Sequence, residues 1–116
     1  MPTFNLLLGI SLFILGHVLA WFQLNSQFVW TWARDHPYLM VAAYALPIGV
    51  CFLFGTRLVV EETGALWTSR FLAFSASYVA FPAMTWYFLN ESMFTPKTLV
   101  CIALSVVIAL IQIFWR

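Results

Sequence analysis

The run FNLLLGISLFILGHVLAWF, from Phe4 to Phe22, holds 19 consecutive residues without a charge. At about 1.5 Å of rise per residue, a helix of that length covers about 28 Å, nearly the ~30 Å hydrocarbon core of a bilayer. Three more such runs follow, Tyr38–Gly55, Phe71–Leu89 and Thr98–Trp115, of 18, 19 and 18 residues. Every charged residue (Arg34, Asp35, Arg57, Glu61, Glu62, Arg70, Glu91, Lys97, Arg116) falls outside them. A strand of a membrane barrel needs only about 9–11 residues of alternating polarity, and these runs do not alternate. The pattern predicts an all-α chain, an integral membrane bundle of four transmembrane helices over about 4–22, 38–55, 71–89 and 98–115. Residues 1–116 then form a single transmembrane domain.

Composition points the same way. The 116 residues are 64% apolar and 8% charged, where soluble domains average about 45–50% and about 25%. Net charge is +1, from five Lys and Arg against four Asp and Glu. No basic field exists to hold a nucleic acid. Nothing in the chain reads as a linker or low-complexity tract.

The segments between the runs are Gln23–Pro37, Thr56–Arg70 and Asn90–Lys97. Pro37 and Pro96 stand where proline is tolerated, at a helix start. Gly55 and Gly64 read as punctuation of the second loop. Trp and Tyr favour the headgroup region. Trp21, Trp30, Trp32, Tyr38, Trp86 and Tyr87 cluster around the first and third loops, with Trp67 and Trp115 on the other side. Phe28, Trp30 and Trp32 with Arg34 suggest an interfacial segment. The side carrying Arg57, Arg70 and Arg116 outweighs that carrying Arg34 and Lys97, so the positive-inside rule puts both termini in the cytoplasm. Val18-Leu19-Ala20 suits a signal-peptidase site, but no positive charge precedes the run, and it is read as a retained first helix.

In lipid, small residues mark helix contacts. Gly9 and Gly16 are a heptad apart, Gly16–Ala20 and Ala45–Gly49 are small-xxx-small pairs, and Ala73, Ser77 and Ala80 share a face. Cys101, Ser105, Ala109 and Gln112 recur at helical spacing. Cys51 and Cys101 differ in depth by more than about 10 Å, too far for a disulfide, and read as packing residues. His17, His36 and the cysteines share no depth, so no metal site is expected.

The side chains able to do more than pack are few. His17 is the one strongly titratable group inside a run, and such groups are functional candidates by default. The competing reading is a neutral imidazole bonded to a hydroxyl, an amide or a backbone carbonyl. Ser77, Tyr78, Ser105 and Gln112 complete a candidate polar cavity or proton site with His17. Pro47 and Pro82 each remove a backbone N–H and predict helix kinks. Arg70, with Trp67 preceding it, either snorkels or pairs with Glu61 or Glu62, or faces inward to contact an anion or headgroup. Arg57 with Glu61 and Glu91 with Lys97 read as surface pairs. No carboxylate lies within a run, no nucleophile is paired with a base, and no phosphate loop appears. Neither an enzyme nor a cofactor is expected.

The last third of the chain carries a resemblance. Trp86-Tyr87-Phe88-Leu89-Asn90-Glu91, then Phe94-Thr95-Pro96, then Leu99 to Ile113 resembles the drug/metabolite transporter superfamily, with its aromatic helix end, acidic turn and final aliphatic helix. Gly16 to Phe22 is similar to the first helix of the small multidrug resistance branch, and the whole resembles the small uncharacterised four-helix members. The first-helix glutamate of the multidrug branch has no counterpart in Leu12-Phe13-Ile14-Leu15-Gly16-His17, so proton-coupled drug export is not implied. The resemblance implies the four-helix fold, dimerisation and a bacterial inner membrane. It transfers no catalytic or substrate residue.

Two functions compete on this reading. One is a transporter-like protein, a dimer or higher oligomer surrounded by membrane lipid, acting on an unknown small molecule or lipid. The other is a non-transporting structural or accessory subunit of a larger membrane assembly, suggested by the missing carboxylate, the small loops and an aromatic content of 19%.

Overall fold

The computed structural model describes residues 2–115, so the charge on Arg116 used for orientation lies outside the described residues. The chain is helical throughout: α1 is Pro2–Asn25, α2 Thr31–Asp35, α3 Pro37–Thr63, α4 Leu66–Leu89 and α5 Pro96–Phe114, with a 3-10 turn Ser26–Phe28 after α1. Among the described residues there is no strand. Four of these helices are long and apolar enough to cross a membrane, and each contains or nearly contains one charge-free run.

The helix ends show where hydropathy and backbone part company. α3 continues eight residues beyond Gly55 and α4 begins five before Phe71, so only Gly64 and Ala65 join them. The expected loop Thr56–Arg70 is therefore mostly helix. Arg57, Glu61, Glu62 and Arg70 end a hydrophobic run without ending a helix, because straight-chain charged residues are good helix formers. The actual stop is Gly64, at φ 73°, whose N–H donates to the Val60 carbonyl at 2.7 Å. Left-handed backbone at that position is what glycine permits. Asn90, at φ 56°, ends α4 in the same conformation. α5 starts on Pro96 with Thr95 as cap, its hydroxyl accepting from the Thr98 N–H at 3.3 Å.

Gly55, read as the last residue of the second run and the punctuation before its loop, is instead buried inside α3. A Cβ there would stand 2.8 Å from the Phe13 ring, and one on Gly9 would stand 2.7 Å from Val59 Cγ2. The absence of side chains at both lets α1 and α3 approach closely along an antiparallel seam that Gly16 extends. Ala45 and Gly49, expected at a contact, are exposed.

α1 is the central helix. α3 and α4 pack on it, and Phe13, Val59, Leu72 and Ala76 form the shared core. α5 rests on α4 through Ala109 and two hydrogen bonds, Thr68 Oγ1 donating to Gln112 Oε1 at 3.1 Å and Ser75 Oγ donating to the Ser105 carbonyl at 2.9 Å. Cys101 is exposed and outside this seam, while Cys51 is buried; both are free. The molecule measures 47 × 36 × 19 Å. With helices about 10 Å across, it is two helices thick. The bundle is flattened rather than square.

The aromatic residues divide by burial. Trp30, Trp32, Tyr38, Trp86, Tyr87, Trp67 and Trp115 are exposed near helix ends. Trp21, grouped with them on the sequence, is buried between α1 and α4, where Phe88 stacks on it at 5.3 Å. Of the segment expected at the interface, Phe28 ends the 3-10 turn and Trp32 and Arg34 lie in α2, with Trp30 packed on Phe22 and Phe88.

Candidate functional site

α4 begins with Leu66, and the positions 66, 70, 73 and 77 recur at helical spacing along one face. α3 presents Phe52 and Thr56, one turn apart, towards the same space. The two helices form the walls of a groove of about 870 Å³, and His17 of α1 lies at its floor. That volume falls within the ~300–1,000 Å³ usual for small-molecule sites. Trp67, Phe74 and Arg70 are exposed along its rim.

The floor is held by hydrogen bonds and aromatic packing. His17 Nε2–H donates to the Ala73 carbonyl at 2.7 Å. Its ring meets Phe52 edge-on at 5.0 Å. One imidazole thus ties together α1, α3 and α4. Ser77 Oγ donates to the Phe74 carbonyl at 2.6 Å, and Trp67 stacks on Phe71 at 5.9 Å.

Charge is placed sparingly. Among the described lining residues only Arg70 carries a formal charge. Glu62, a suggested partner of Arg70, accepts from Asn5 Nδ2 at 2.9 Å across the α1–α3 seam. Arg57, expected beside Glu61, lies 5.0 Å over the Phe54 ring. Both cations sit within about three turns of one end of their helices, the end shared with the start of α1.

No protein-family model, curated protein or solved structure matches the chain. The site is therefore read from its own geometry. Of the residues singled out on the sequence, the groove gathers His17, Ser77, Arg70 and Trp67. Tyr78 lies elsewhere, with Pro82, in a second groove of about 490 Å³ closed by Trp86, Phe94 and Ile102. Ser105 and Gln112 belong to the α4–α5 seam; Ser105 is buried and its hydroxyl donates to the Ile102 carbonyl at 2.7 Å. The five-residue polar set of the sequence reading is thus spread over three places. α3 and α4 run on through Pro47 and Pro82, and Pro47 is exposed away from both grooves.

Thr56 and Ser69 line the main groove and were missed, because both fell in the stretch read as loop. Thr56 joins the lining because α3 continues past Gly55, one turn beyond Phe52, and Ser69 because α4 begins at Leu66. Among the described residues no group of three or more His, Cys, Asp or Glu is placed to hold a metal ion.

Proposed function

We propose that the chain is an integral membrane protein that binds a small molecule or lipid in the α3–α4 groove and acts as a transporter-like homo-oligomer. Insertion is supported by surface. The accessible area is 7981 Å², against about 6,450 Å² for a soluble monomer of this mass. Exposed Leu, Val, Ile and Phe crowd α5 and the outer side of α3. Such an apolar exterior is stable only against lipid or other chains. Both helix ends carrying Arg57 and Arg70 then face the cytoplasm, consistent with a bacterial inner membrane and cytoplasmic termini.

The observation that carries binding is the groove itself. In a chain with so few polar side chains, it collects Thr56, Ser69, Arg70, Ser77 and His17 on apolar walls. Polar groups at membrane depth face cavities or partners. The resemblance of the last third of the sequence to the drug/metabolite transporters supports the expectation that two flattened copies enclose a path that one copy leaves open. No catalytic step is assigned.

The exposed face of α5 favours a second reading, an accessory subunit packed against other chains. Extraction in native bilayer particles followed by mass determination separates the two. A homo-oligomer without companions supports the proposal; stoichiometric foreign chains on every particle contradict it.

A further inference from the structure

We infer that the α3–α4 groove takes an amphiphile with an anionic head, drawn from the leaflet on the Arg70 side. The inference rests on the groove being a binding site, and it adds the chemical class.

Three features carry it. The first is charge. Arg70 is the one formal charge among the described lining residues, and Glu62 is engaged by Asn5. A guanidinium at the rim, with no acid lining the groove, complements a carboxylate or phosphate head through charge-assisted hydrogen bonds.

The second is length. From Leu66 to Ser77 the groove follows α4 for about 16 Å, close to half of a ~30 Å hydrocarbon core, the depth of one leaflet. Arg70 stands near the helix end, while Phe52 and Ala73 line the deeper part. The polarity therefore runs as an amphiphile's does, head at the surface and tail towards the midplane.

The third is where the polar hydrogens are spent. At the inner end His17 spends its N–H on Ala73, and Ser77 its O–H on Phe74, so neither hydroxyl nor imidazole proton is left to hold a polar head there.

The test uses the full chain in phosphatidylcholine vesicles with brominated probes that quench tryptophan fluorescence. The contribution of Trp67, one of six tryptophans, is the difference between wild type and Trp67→Phe. Four probes are compared: a brominated fatty acid kept ionised, the alcohol and the trimethylammonium of the same chain, and a brominated phosphatidylglycerol. The fatty acid is expected to quench Trp67 at roughly ten- to hundred-fold lower mole fraction than the alcohol or the cation, the range of a hydrogen-bonded charge. Arg70→Gln removes that margin, and Arg70→Lys keeps most of it. Arg70 is exposed, so neither change removes a core contact. Equal quenching by acid, alcohol and cation is the bulk-lipid contact of an exposed indole and overturns the anionic class. Phosphatidylglycerol matching the fatty acid supports the anionic class with a leaflet lipid as its source, and phosphatidylglycerol without effect supports it with a free fatty acid. No Trp67 quenching by any probe overturns the binding reading as well. Quenching in the monomer that vanishes in the oligomer shows a second copy in the groove and overturns the inference too.

Discussion

Trp21 and Thr85, 64 positions apart, meet inside the protein, the indole Nε1–H donating to the threonine hydroxyl at 2.9 Å. Both are buried, and they fix α1 to α4 at the end opposite the groove mouth. An indole N–H placed in an apolar interior needs such a partner. Phe88 and Phe22 pack around the pair, so the contact joins α1 to the end of α4.

Thr85→Val keeps the shape and removes the acceptor. It is expected to cost about 1 kcal/mol, within the range of interhelical hydrogen bonds measured in bilayers. Unfolding in bicelles checks the value, and a double-mutant cycle with Trp21→Phe should assign most of it to the pair.

The glycines of α3 respond in opposite directions. Gly55→Ala drives a methyl to 2.8 Å from Phe13 and should destabilise by about 1–3 kcal/mol through overpacking. Gly49 has nothing within 4 Å of a built Cβ, so Gly49→Ala should gain about 0.5–1 kcal/mol from helix propensity. The same unfolding measurement reads both. Equal effects would contradict the α1–α3 seam.

Thiol labelling reads the burial of the cysteines. Cys101 is exposed on α5 and Cys51 buried between α3 and α1. A lipid-soluble maleimide should modify Cys101 alone in the folded protein and both after denaturation, as followed by peptide mass. Modification of Cys51 under native conditions would contradict the packing.

Gln112→Leu removes the acceptor of the Thr68 hydroxyl on the α4–α5 seam. It should lower stability by about 0.6 kcal/mol, the average for such bonds in a membrane. Probe quenching of Trp67 should be unchanged, since Gln112 does not line the groove. A parallel loss of quenching would place α5 within the site.

The sequence made the four long helices legible because charge-free length is what a bilayer requires, and the structure has helices at each run. It misplaced the α3–α4 turn because Arg57, Glu61, Glu62 and Arg70 interrupt hydropathy without interrupting backbone geometry. That error hid Thr56 and Ser69. Gly9 and Gly16 were legible as a seam from their spacing. Ser105 and Gln112 were legible as polar and inward, but spacing on one helix cannot say which neighbour they meet. His17 shows the same limit: its depth marked it as unusual, and only the tertiary fold reveals the Ala73 carbonyl that satisfies it.

The central claim is that the α3–α4 groove is where this protein holds its ligand. Native mass spectrometry of particles extracted with their lipid tests it on three chains: wild type, Ser77→Trp, which fills the groove, and Val107→Trp, which adds the same bulk on the exposed face of α5. Matched melting temperatures ensure that all three are folded. The account predicts a small bound molecule retained by wild type and Val107→Trp and lost from Ser77→Trp. Equal retention by all three would contradict it.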